Sequence, residues 1–197
     1  MLARLAPYTQ LLASLLLSLA SLPASAQAMA SSWYVSAGLG GLTPDKPWGA
    51  KGAAPLFGLD VGEILTPVWS GELDLSDARL DDRSGGNHSS LEGAALQGLR
   101  RFRAGARLTP YLSLGAGATH ETPGAGSRLE SRTEFMVQPG LGALIRVKDV
   151  GRGGSGHLAL RADVKVRWTH GWAHAPGNPV DPLYTLGLSY FFPAAAR

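Results

Sequence analysis

The chain has 197 residues, no cysteine, and a formal net charge of +3 at pH 7. Charged residues make up 17% of it, below the roughly 25% of ordinary soluble domains. Together these exclude a disulfide scaffold and leave no strong electrostatic footprint for nucleic acid, so no nucleic-acid partner is expected.

The first element is a leader. Arg4 and the amino terminus precede the apolar run Leu11 to Leu22, which Pro23 ends, and Ala24-Ser25-Ala26 supplies small residues. That is the layout of a secretory signal peptide, and the run is too short to span a membrane comfortably as a helix. Residues 1–26 are therefore expected to be removed, with cleavage after Ala30 as the alternative. Loss of Arg4 lowers the formal charge by one, to +2. Residues 27–197 are expected to form one domain. No later stretch is apolar enough for a spanning helix, so any entry into a membrane must use a closed barrel.

The mature chain reads as strands with period-two alternation. Strand one covers Trp33 to Leu42, with Trp33, Val35, Ala37 and Leu39 opposite Tyr34, Ser36, Gly38 and Gly40. A Pro- and Gly-rich loop over 43–55 follows. Strand two is Leu56 to Glu63, and strand three runs from Val68 to about Ala78 after the short connection Leu65-Thr66-Pro67. Residues 79–90 read as a second long loop. Strand four, about Leu91 to Phe102, has mixed residues on both faces, so its register stays open. Strand five is Thr109 to His120, followed by a loop over 121–131. Strand six is Arg132 to Val147, with a local irregularity expected at Pro139. Strand seven, His157 to Thr169, alternates without a break. Loop 170–181 leads to strand eight, Pro182 to Phe192, whose apolar face is Tyr184, Leu186, Leu188, Tyr190 and Phe192. Its length is that of one tilted membrane strand, roughly 9–11 residues.

Eight strands and alternating long and short connections suit a membrane barrel with short turns at one end. The fold class expected is all-β, an eight-stranded antiparallel up-and-down transmembrane barrel. The apolar faces would then meet lipid, and Asp60, Glu72, Asp74, Glu134, Arg146, Arg161, Asp163, Lys165 and Arg167 would converge inside. Eight strands leave an interior just wide enough for side chains to fill. Buried ions must pair, so these residues are expected to form an interior charge network that plugs the tube. Trp33, Trp69, Trp168, Tyr184, Tyr190 and Phe192 lie near the ends of apolar faces, as interfacial aromatics do. A soluble eight-stranded carrier resembling a lipocalin is the alternative; it would need an apolar interior and a polar exterior.

The segment Trp33-Tyr34-Val35-Ser36-Ala37-Gly38-Leu39-Gly40 resembles the first strand of the OmpA-like small outer-membrane β-barrel family. So do Trp69-Ser70-Gly71-Glu72-Leu73, the run Thr109 to Ala118, Gln138-Pro139-Gly140-Leu141-Gly142, Leu160-Arg161-Ala162-Asp163-Val164 and the aromatic-ended last strand. The resemblance implies a barrel in the outer membrane of a Gram-negative bacterium, with both termini in the periplasm. Outer-membrane lipid and lipopolysaccharide are the implied surroundings. It also implies that Tyr184, Leu186, Leu188, Tyr190 and Phe192 form the assembly signal for the barrel-assembly machinery. Family members often end on Phe, whereas here Phe192 is followed by Pro193 to Arg197.

An enzymatic reading is weaker. In barrels resembling lipid A deacylases, a His and a Ser two residues on act near the end of strand seven. Here His170 is followed by Gly171 and Trp172, so the nucleophile position holds no serine. The spacing of His170 and His174 suits a metal pair on a helix face, but Gly171 and Pro176 oppose a helix and a metal would need a third protein ligand, so surface loop histidines are expected. No cofactor and no catalytic residue are assigned, and the ligand of the loops is left open.

Overall fold

In an extended chain successive side chains point to opposite faces, and here that rule closes on itself. The computed structural model describes residues 32–44, 52–81, 88–123, 131–150, 156–170 and 180–192. They form β1 (Ser32–Leu42), β2 (Ala54–Ile64), β3 (Trp69–Asp81), β4 (His88–Arg101), β5 (Leu108–Thr122), β6 (Arg132–Val150), β7 (Gly156–His170) and β8 (Val180–Phe191). Each strand pairs antiparallel with the next, and β8 returns to β1, giving a closed up-and-down barrel. The Phe192 N–H donates to the Trp33 carbonyl at 2.9 Å and completes the seam. Closure leaves no sheet edge with unpaired backbone groups.

The strands run further than alternation alone suggests. β3 and β4 pair as far as Asp81 and His88, so residues 79–81 and 88–90, expected in a loop, belong to the barrel wall. The connection left between them, 82–87, is no longer than the 102–107 turn between β4 and β5. The side chain of Thr66 organises the β2–β3 turn by accepting from the backbone N–H of Trp69 at 2.9 Å. At Pro139, which has no N–H to offer, the β6–β7 ladder is interrupted between Val137↔Trp168 and Gly140↔Lys165 and resumes in the same register. The true register shift lies further on, between Arg146 and Lys148.

The outer face is apolar. Leu39, Leu96, Leu141, Leu160, Val164 and Leu186 are all exposed on it. Trp33, Phe102 and Phe192 mark the end with the short turns, and Phe57, Phe135, Trp168 and Tyr184 the end with the loops. Tyr190 and Phe192 meet edge to face, with ring centroids 4.9 Å apart. Arg161, Asp163, Lys165 and Arg167 are buried on the inner face. That arrangement is the inverse of a soluble carrier. The outward face turns polar above the loop-end aromatics. There Asp77 stands opposite Glu92, and Asp81 accepts from His88 at 2.7 Å.

β4 faces inward with Leu91, Gly93, Ala95, Gln97 and Leu99, and outward with Glu92, Ala94, Leu96 and Arg100. Both faces mix apolar and polar residues, which is why alternation leaves its register open.

Candidate functional site

The lumen is stacked in layers, and each layer follows from a strand's inward residues. Arg161 of β7 is 3% exposed and sits at the centre of the first. Its guanidinium lies 2.8 Å from Asp163, 2.9 Å from Glu72 of β3 and 3.2 Å from Asp60 of β2. Ser36 of β1 accepts from it at 3.3 Å. Two tyrosine hydroxyls donate into the same layer, Tyr34 to Glu72 at 2.9 Å and Tyr111 to Asp163 at 2.5 Å. The Tyr111 ring also lies 5.5 Å from the Arg161 guanidinium carbon, within cation–π range. Strands on opposite walls are thereby tied across the tube.

Glycine makes room for these tyrosines. A Cβ built on Gly62 would run into the Tyr34 ring, and one on Gly142 into the Tyr111 ring.

The next layer joins Lys165 to Asp74, with the Gln97 amide donating to the same carboxylate. Asp60 and Asp74 are direct partners across β2 and β3. Such a like-charge pair is unfavourable alone, and Arg161 and Lys165 each bind one member of it. Beyond them Arg167, fully buried, donates to Ser76 at 2.8 Å and faces Asp181 in the β7–β8 register. Among Asp60, Asp74, Gln138 and Lys165 there is a cavity of about 30 Å³, room for a water or two.

Of the nine charges expected inside, Asp60, Glu72, Asp74, Arg161, Asp163, Lys165 and Arg167 occupy these layers. Glu134 and Arg146 do not. Glu134 lies 3.6 Å from Arg132 near the loop end, and Arg132 also binds Glu121 at 2.7 Å. Arg146 lies at the opposite mouth, half-exposed, with its nearest carboxylate Asp149 at 4.0 Å. Both have the inward phase, but inward phase at a strand end means the rim of the tube and not its centre.

Alternation already points Tyr34, Tyr111 and Ser36 inward. Gln97 is hidden by the mixed β4 pattern and Asp181 by the loop reading of 170–181. The apolar end of the lumen is also unannounced in the sequence. Leu42, Ala54, Leu56, Ala78, Leu80, Leu91 and Leu183 form a buried cluster near the loops. The interior is thus charged in the middle and greasy at one end. His170 is exposed at the loop end of β7, while Gly171, Trp172 and His174 lie outside the described residues. Of the last-strand residues, Tyr184, Leu186, Leu188 and Phe192 are exposed on the outer face.

No curated protein sequence matches the chain. Among solved structures it is similar to Neisserial surface protein A, with a TM-score of 0.60 and 13% identity over 83% of this chain and 100% of that one. It is similar to the outer membrane protein OprG of Pseudomonas aeruginosa, with a TM-score of 0.57 and 15% identity over 84% and 97%. The outer membrane enzyme PagL follows, with a TM-score of 0.50 and 15% identity over 81% and 99%. At these identities the likeness concerns the fold. A family profile, the outer membrane protein beta-barrel domain, matches residues 12–192, and it agrees with the closed eight-stranded wall, the apolar exterior and the two aromatic girdles. The chain belongs to that family, and its place is the outer membrane of a Gram-negative bacterium.

Proposed function

We propose that the protein is a non-conducting barrel of structural or interaction type, which works through what its loop end presents outside the cell. The observation that carries this reading is Arg161, bound to carboxylates from β2, β3 and β7 across the tube. With Lys165 on Asp74 and the leucines of the loop end above it, this cross-brace leaves little void for ions to pass. The segments left between strands at that end, 43–53, 82–87, 123–131 and 171–179, then supply the contact surface, with lipopolysaccharide as the first partner met. The exposed apolar face of Tyr184, Leu186, Leu188, Tyr190 and Phe192 serves during biogenesis as the signal read by the barrel-assembly machinery.

The test is electrical. Purified protein inserted in planar bilayers is expected to give no stable single-channel current. A steady conductance from the wild-type chain would overturn the reading. An enzymatic role is tested separately by acyl release from lipid A, where wild type and His170→Ala are expected to be equally inactive.

A further inference from the structure

At the end of the lumen with the short turns lies a pocket of about 310 Å³. Its size is that of a site for a small organic ligand, for which about 300–1,000 Å³ is usual. Three basic side chains reach it from three strands: Arg101 from β4, Arg146 from β6 and His157 from β7. No Asp or Glu lines it among the described residues. Asp149, beside Arg146 at 4.0 Å, is itself largely exposed.

The two arginines are anchored, and Arg101 makes no ion pair among the described residues. Arg101 donates through one terminal nitrogen to the Thr66 carbonyl at 2.9 Å. Its Nε is buried and has no hydrogen-bond partner among the described residues. The backbone N–H of Arg146 is fixed to the Arg107 carbonyl at 2.8 Å. The His157 ring stacks on Phe191, with centroids 4.3 Å apart and planes 6° from parallel. Phe191 stacks in turn on Tyr34 at 4.9 Å. Those rings, with Ala159, Ile64 and Leu144, form an apolar floor. Below that floor the lumen is acidic, so the positive mouth is a local inversion of sign.

Two guanidiniums and an imidazole around a concave apolar floor suit an oxyanion carried on a small body. Arginine binds phosphate with forked, charge-assisted hydrogen bonds. We infer that this mouth binds a phosphate group, with Arg101 and Arg146 on the oxygens and the attached organic part against Phe191, Ile64 and Leu144. The phosphate can come from a soluble phosphate ester or from a lipid headgroup at the membrane surface. The chemistry is the same, and the experiment separates the two sources.

The full barrel is refolded in phosphate-free detergent micelles at an ionic strength held constant with NaCl. Side-chain NMR signals of His157 and Arg101 are followed while glycerol 3-phosphate is added. A saturable shift is expected, with affinity falling at least tenfold in the double variant Arg101→Gln, Arg146→Gln. Arg146→Gln alone, at the exposed rim, serves as the folded control and is expected to weaken binding several-fold. In a second arm phosphatidylglycerol is added to the barrel in the same phosphate-free micelles. The same signals shifting with phosphatidylglycerol alone would assign the phosphate to a lipid; shifting with glycerol 3-phosphate alone would assign it to a soluble ester. The proposal is overturned by no saturable shift in either arm, or by identical titrations of wild type and Arg146→Gln. A response to NaCl equal to that to glycerol 3-phosphate would overturn it as well.

Discussion

Arg161 is one side chain facing three carboxylates, each from a different position in the wall. Its removal leaves Asp60, Glu72 and Asp163 short of a cation where water hardly reaches. Breaking a buried pair in this way costs about 3–5 kcal/mol. Arg161→Ala is therefore expected to lower the urea midpoint of the refolded barrel by a corresponding amount. An unchanged midpoint would mean that the carboxylates are solvated. Glycine works at the same scale in the opposite sense. Gly142→Ala pushes a methyl group into the Tyr111 ring, an overpacking worth about 1–3 kcal/mol. Tyr111→Leu in the same background is expected to recover part of that loss, because it removes the ring the methyl strikes. A loss that persists in the double variant would place its cause elsewhere.

At the scale of the element, β7 shows most plainly how alternation becomes function. Leu160, Val164 and Val166 are exposed, while Arg161, Asp163, Lys165 and Arg167 are buried. A single-residue slip would put three cations into lipid, so register is set by the membrane itself. Leu160→Arg is expected to impair insertion at about 2–4 kcal/mol near the midplane, read as reduced folded yield in outer-membrane fractions. Normal yield would contradict the lipid-facing assignment. β8 closes the wall against β1 through Phe192 and Trp33. On the proposed role of the last strand as an assembly signal, Phe192→Ala is expected to slow assembly in cells while leaving refolding in detergent nearly unchanged. Equal slowing in both settings would assign the effect to barrel stability instead.

At the scale of the molecule, closure, a braced centre and a greasy loop end act together. The cluster around Leu42 and Leu91, each almost fully buried, is a conventional small core set inside a membrane barrel. Leu91→Ala is expected to cost about 2–5 kcal/mol, as large-to-small core changes do, measured by the temperature at which the folded barrel, which runs compact on unheated gels, converts to the unfolded form. No shift in that temperature would show the loop end to be loosely packed.

Much of this was legible in the chain. Strict alternation through 157–169 and 182–192 sets which side chains meet lipid, because a strand's period of two admits only two faces. The even strand number and the aromatic ends of the apolar runs are likewise local properties, visible without any partner strand. The tertiary structure alone decided the rest. Register across β2, β3 and β7 brings Asp60, Glu72 and Asp163 to one guanidinium and leaves Glu134 and Arg146 at opposite rims. Alternation fixes a direction, but height along the tube depends on tilt and stagger between strands. The apolar loop-end lumen was hidden for a related reason. Leu42, Leu80 and Leu183 each sit in a different strand, and only closure of the barrel makes them neighbours.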